Sequence, residues 1–305
     1  MQLNTKHLLT IRDLSPAEVR GLVARAAELK AGWGQGVRPR PLTDKVVALI
    51  FEKASTRTRV SFEVGTAQLG GRSIFMTSRD SQLGRSEPLK DTARVLSRYV
   101  DAMVVRTFGQ DVVTELAQYA GIPVINALTD RYHPCQVLSD LLTVSERKGR
   151  LDGLTYCWLG DGNNMAHSWL EAAAKLGLSL RLACPQGFEP DPEILAHARA
   201  QGAAVLLTAD PREAVTGADV VNTDVWASMG QEDDALRRRE LFNGYTLDAK
   251  LLSLAAKDAM VLHCLPAHRG EEVSDEVLEG PQSVVWDQAE NRLHMQKAIL
   301  EALVG

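Results

Sequence analysis

Apolar positions in this chain come in short continuous runs, separated by longer stretches in which they recur every three or four residues. Val46-Val47-Ala48-Leu49-Ile50-Phe51 is such a run. It is too short to be the core of a helix and has none of the alternation of a half-exposed strand, so it predicts a strand covered on both faces. By the same reading, strands are expected near 45–52, 71–77, 101–106 and 123–127, then near 154–160, 179–184, 203–208, 219–223 and 259–265, with a short one near 283–286. The intervening periodic segments predict helices near 57–69, 88–98, 111–120 and 134–147, then near 164–176, 190–201, 211–217, 246–256 and 288–303. An earlier helix should run from Pro16 to about Lys30, because Ser15-Pro16-Ala17-Glu18 supplies an N-cap, a proline at the first helical position and a capping-box glutamate.

Strand and helix alternate throughout, which predicts an α/β protein of two domains, each a parallel sheet flanked by helices and joined by bridging helices. Lys148-Gly149 marks the boundary. Residues 1–148 are expected to form the first domain and 149–287 the second, with a C-terminal helix over 288–305 returning to the first. No internal repeat or low-complexity tract interrupts this order.

Composition adds three constraints. With 305 residues, 45% apolar and 24% charged, the chain is long enough for two domains with their own cores. The first residues, MQLNTKHLLTIRDLS, contain no apolar leader segment, and the expectation is a soluble cytoplasmic protein. Cys135, Cys157, Cys184 and Cys264 form no paired spacing, so neither disulfides nor a metal site is expected. Charge is unevenly divided: residues 1–150 carry 22 basic against 15 acidic side chains, net +7, and residues 151–305 carry 12 against 24, net −12. A first half that attracts an anion and a second that attracts a cation would produce this, as would two merely solvated surfaces. Aromatics make up only 5% of the chain and no basic run is interleaved with them, which argues against nucleic acid.

In parallel sheets ligands gather where strands end and helices begin, and five such ends are unusual. Ser55, Thr56, Arg57, Thr58 and Arg59 follow the first strand. Hydroxyls and guanidinia at a helix N-terminus suit phosphate oxygens. Arg106 closes the strand near 101–106, and His133-Pro134-Cys135-Gln136 opens a helix with an imidazole and an amide that suit a carbonyl oxygen. Gly160-Asp161-Gly162-Asn163-Asn164 follows the first strand of the second half. A dinucleotide fingerprint would need glycine where Met165 stands and an acid where Cys184-Pro185 stands. NAD is thereby disfavoured, and the paired amides suit a small polar ligand. Finally, Asp224-Val225-Trp226-Ala227-Ser228-Met229-Gly230 and His263-Cys264-Leu265-Pro266 place a carboxylate, a hydroxyl and a thiol after two further strands.

Together, "STRTR" at 55–59, "HPCQ" at 133–136, "DVWASMG" at 224–230 and "HCLPAHRG" at 263–270 resemble the carbamoyltransferase family, and within it the ornithine carbamoyltransferases. The resemblance runs along essentially the whole chain. It implies that Ser55, Thr56, Arg57 and Thr58 bind the phosphate of carbamoyl phosphate with Arg106, and that His133 and Gln136, in the segment with Pro134 and Cys135, contact the carbamoyl group. Gln82, in the Ser81-Gln82-Leu83-Gly84 loop, is implied to reach a neighbouring subunit's site in a homotrimer or a multiple of trimers. Asn164, Asp224, Ser228 and the Met229 backbone are implied to hold the α-amino and α-carboxylate groups of ornithine, with Asn163 adjacent. Cys264 and Leu265 are implied to lie beside the reacting centre, their carbonyls receiving the carbamoyl NH2, with Arg292 nearby, all three belonging to the carbamoyl-phosphate-binding set; Arg57, Arg106, His133 and Cys264 are the candidate catalytic set. The partners implied are small molecules, with no cofactor, metal, nucleic acid or membrane. A carbamoyltransferase for aspartate would need basic residues where this chain has Asp224, Ser228 and Cys264. One for putrescine would not need the Asp-x-x-x-Ser-Met-Gly segment, and a non-catalytic binding protein would be expected to have lost one of the five groups.

Overall fold

The structure, a computed structural model, describes residues 2–77, 87–227 and 235–305. Gln82 with its loop, Ser228 and Met229 lie outside the described residues. The chain forms two compact units, Met1–Leu142 with Glu290–Gly305, and Thr143–Ala289.

In the first unit, helix α1 (Pro16–Gly34) starts as its sequence requires: the Ser15 hydroxyl accepts from the Glu18 N–H at 3.2 Å and the Glu18 carboxylate accepts from the Ser15 N–H at 2.7 Å. Then follow β1 (Val46–Phe51), α2 (Thr56–Gln68), β2 (Arg72–Thr77), α3 (Leu89–Leu96), β3 (Ala102–Arg106), α4 (Gln110–Tyr119), β4 (Val124–Leu128) and α5 (Pro134–Lys148). The sheet is parallel in the order β2-β1-β3-β4. Ala48, Ile50, Met103 and Val105 on one face pack with Val113, Leu116 and Val124. Register sets Phe51 beside Arg106, so the segment after β1 and the last residue of β3 emerge together.

The second unit contains β5 (Thr155–Leu159), α6 (Asn164–Leu176), β6 (Ser179–Ala183), α7 (Pro192–Ala200), β7 (Ala204–Thr208), α8 (Pro211–Val215), β8 (Val220–Thr223), α9 (Ala235–Leu241), α10 (Ala249–Leu252), β9 (Met260–His263) and α11 (Asp275–Leu278). Its parallel sheet runs β7-β6-β5-β8-β9. Cys157, Leu159, Val221 and Val261 meet Trp226, Phe242, Leu251 and Val277 in the core. The expected strand over 283–286 does not form. Ser283 makes a single bridge to Val261, and α12 (Val285–Val304) begins where that strand would have continued. A segment this short, followed directly by a twenty-residue helix, contributes one pairing and turns. Among the described residues no helix is long and apolar enough to cross a membrane.

The turn after β5 has no room for a side chain. A Cβ on Gly162 would stand 2.2 Å from the Pro190 nitrogen and 2.4 Å from the Glu189 carbonyl carbon, and the Gly162 N–H donates to the Phe188 carbonyl at 2.8 Å. Both obstacles are backbone. Gly162→Ala is therefore expected to destabilise the protein by about 1–3 kcal/mol or more through overpacking, seen as a lower urea midpoint. A midpoint equal to the parent's would contradict the crowding.

Candidate active site

In the first unit the chemistry sits at the C-terminal ends of β1, β3 and β4. Ser55 caps α2, its hydroxyl accepting from the Thr58 N–H at 3.3 Å, so the helix N-terminus and its dipole face the same side as the serine and threonine hydroxyls. Thr56 and Arg57 are exposed, whereas Thr58 is buried. Arg59 turns elsewhere: its guanidinium stacks on Phe75 at 3.6 Å and pairs with Glu63 at 3.0 Å. Arg106 and His133 are buried. Burial above all, then the Arg292 and Arg106 guanidinia, pushes the His133 imidazole well below its usual range, so the ring is neutral at neutral pH. A neutral imidazole flanked by two cations is a donor set for an oxygen-rich anion.

Arg292, on α12, closes this group. Its guanidinium donates to the Gln136 side-chain oxygen and to the Thr58 hydroxyl, and the Gln136 amide in turn donates to Asp140 at 2.8 Å. Accepting from Arg292 leaves the Thr58 hydroxyl its own hydrogen to donate. Cys135 packs instead of reacting: burial pushes its thiol up to about 12, and Sγ lies 3.4 Å from the Asn126 carbonyl. Two residues singled out by no motif are built in beneath. Half-buried Glu52 accepts from the Thr107 hydroxyl, and buried Lys53 pairs with Asp130 and lies 4.2 Å from the Phe108 ring. Their only signal was the Phe-Glu-Lys charge pair directly after an apolar strand.

In the second unit Asp224 is the centre. It is buried, and its Oδ1 accepts from the Val225 N–H at 2.9 Å and the Cys264 thiol at 3.1 Å. Its Oδ2 lies 3.4 Å from the Asn163 amide nitrogen. Asn163 is at the same time the N-cap of α6, accepting from the Met165 N–H at 2.9 Å. Asn164 is the first residue of that helix, and its carbonyl accepts from Ser168. The Asn163 amide thus faces the carboxylate. The donors to Asp224 are all neutral groups, and among the described residues no lysine or arginine pairs with it. Such a carboxylate suits an incoming ammonium. Behind it Arg238 donates to Asp161 at 2.8 Å and to the Trp226 carbonyl at 2.6 Å, joining both sides of the loop that follows β8.

Models of two domains match this chain: the carbamoyl-phosphate-binding domain of aspartate/ornithine carbamoyltransferases over residues 6–146, and their aspartate/ornithine-binding domain over 152–303. The chain belongs to the aspartate/ornithine carbamoyltransferase family. Within it the chain is 60% identical to the ornithine carbamoyltransferase of Desulfotalea psychrophila over 300 residues, 98% of this chain and 99% of that one. The ornithine carbamoyltransferase of Geobacter sulfurreducens is 57% identical over 300 residues, with the same coverage. The solved ornithine carbamoyltransferase of Pyrococcus furiosus superposes with a TM-score of 0.95 at 48% identity, covering 98% of this chain and 97% of that one.

As a carbamoyltransferase, the chain brings Ser55, Thr58, Arg106, His133, Gln136 and Arg292 into its first unit's group and Asp224, Cys264 and Asn163 into the second's. Asp224, His263 and Cys264 each offer an atom within 4.8 Å of the others, a spacing a metal ion would accept. Both ring nitrogens of His263 are already engaged, one by the Leu265 N–H at 2.9 Å and one by Glu272 at 3.0 Å, so coordination there would have to break one of these bonds.

Proposed function

We infer that this carbamoyltransferase moves the carbamoyl group of carbamoyl phosphate to the δ-amine of L-ornithine, giving L-citrulline and phosphate. The observation that carries the ornithine assignment is Asp224, a buried carboxylate that receives hydrogen bonds from neutral donors and, among the described residues, is paired with no lysine or arginine. A second substrate carboxylate, as in aspartate, would be repelled there; an ammonium is attracted.

Chemistry follows from the two groups. An alkylamine such as ornithine's titrates at about 10.4 in water, so the δ-amine must lose its proton before its lone pair attacks the carbamoyl carbon. Attack forms a C–N bond and leaves a tetrahedral oxyanion, for which Arg106, neutral His133 and the Thr58 hydroxyl are the donors. Collapse breaks the C–O bond to phosphate, and the leaving phosphate accepts the amine's proton while Ser55, Thr56 and Arg57 hold it. No covalent enzyme intermediate is needed. Incubation with carbamoyl phosphate and ornithine should yield citrulline, with aspartate and putrescine as controls; carbamoylation of a control in preference to ornithine would reassign the acceptor.

The same reading places the enzyme in the cytoplasm, in keeping with cysteines that form no disulfide, and makes it a homotrimer. Supporting the trimer are Val60 and Ile74, each 50% exposed, on α2 and on the edge strand β2, an apolar edge that a second copy would cover. The resemblance sends Gln82 to the neighbour's phosphate group through a head-to-tail contact. Arg57→Ala and Gln82→Glu, each inactive alone, should therefore regain a fraction of parental activity when unfolded together and reassembled. Hybrids as inactive as their components would confine Gln82 to its own chain.

A further inference from the structure

The loop that follows β9 holds an arrangement that neither the motifs nor the reaction required. His263 ends the strand, and Cys264, Leu265, Pro266 and Ala267 leave the sheet before the chain returns at His268. Leu265 has φ +59, a left-handed backbone that leucine keeps only where surrounding contacts hold it. Those contacts converge on Glu272, which is wholly buried. One of its oxygens, Oε1, lies 3.0 Å from His263 Nε2 and accepts the His268 backbone N–H at 2.6 Å. A single carboxylate oxygen thus ties the residue before the loop to the residue after it.

The second link runs through the imidazole. His263 Nδ1 accepts the Leu265 N–H at 2.9 Å, so Nδ1 carries a lone pair and Nε2 carries the hydrogen that Glu272 receives. Glu272 therefore selects the tautomer that allows His263 to hold Leu265. The His263 N–H, for its part, donates to Gln288 Oε1 at 2.8 Å, which keeps the strand end from rotating.

We propose that Glu272 is a positioning residue: acting through His263 and the His268 N–H, it sets where the Cys264 thiol and the Cys264 and Leu265 carbonyls stand. The inference rests on the proposed function through one link, that residues 264 and 265 meet the substrates. A carboxylate that fixes the tautomer and orientation of a histidine is the device that supports metal-ligating histidines, where its removal costs about 10- to 100-fold in affinity or activity; a loss of the same order is expected here.

Two measurements test it. In E272L, kcat/KM for ornithine is expected to fall about 10- to 100-fold, with the carbamoyl phosphate Kd changing by less, because its phosphate is held elsewhere. Hydrogen exchange at the Leu265 and His268 amides should quicken at least about tenfold, the amides of β5 keeping parental protection. E272Q retains an acceptor oxygen in place of Oε1 and should recover most of both properties. Should E272L not fold, Glu272→Met serves: its unbranched side chain fills the carboxylate's space without an acceptor oxygen, and the two amides must again exchange faster. Parental exchange at Leu265 and His268 in a folded variant overturns the clamp, as does equal impairment of E272Q and E272L. If the parent makes no citrulline, the proposed function fails, and the exchange data still decide whether Glu272 holds the loop.

Discussion

Arg106→Leu is expected to lower kcat by about 10²–10³-fold, the usual loss when one donor to a developing oxyanion is removed. The substitution keeps an apolar-stemmed side chain at a buried strand end whose backbone is held on both sides, by the Glu52 N–H to the Arg106 carbonyl at 2.9 Å and the Thr107 N–H to the Leu128 carbonyl at 3.0 Å, so the fold should survive. It also removes a cation beside His133. Burial is the largest cause of that histidine's lowered pKa and Arg292 the next, and both remain. The ring thus stays neutral at neutral pH, and the lost turnover reads on the missing guanidinium rather than on a newly protonated imidazole. Steady-state kinetics beside Arg106→Gln, which keeps a donor without the charge, separates the two contributions. A folded Arg106→Leu enzyme within about fivefold of the parent's kcat would remove Arg106 from the reacting centre.

The second large effect is expected at Asp224. Asp224→Asn keeps the shape and an acceptor for the Val225 N–H and the Cys264 thiol but removes the charge. A charge-assisted hydrogen bond contributes roughly 1.5–3 kcal/mol, so kcat/KM for ornithine should fall about 10- to 150-fold. The carbamoyl phosphate Kd, measured by calorimetry, should stay near the parent's, because the residues proposed to hold its phosphate, Ser55 to Thr58 and Arg106, belong to the other unit. Weakened carbamoyl phosphate binding with unaltered ornithine kinetics would exchange the roles assigned to the two groups.

Strand positions were legible along the chain because a strand covered on both faces has to be apolar at every residue: Val46–Phe51 and Ala102–Arg106 announce themselves without any partner. The capped helices were legible for the same local reason, Ser15 and Glu18 satisfying each other across three residues. Short helices without such signals were not. Ala235–Leu241 and Asp275–Leu278 were missed, and a strand was expected over 283–286 where the chain makes one bridge and turns into α12. In such brief segments local preference is weak, and neighbouring packing decides the outcome.

Sequence by itself determined the two-domain α/β class, the strand ends at which chemistry gathers, and, through four motifs, the family. Tertiary structure alone decided the connections. Arg292 reaches Thr58 across 234 positions and Gln136 across 156, Asn163 turns to Asp224, and Glu272 ties His263 to His268. The physical reason is range: apolar runs and helix caps are satisfied within a few residues, whereas a buried charge or amide takes its partner from whichever distant strand end or helix the completed fold sets within about 3 Å.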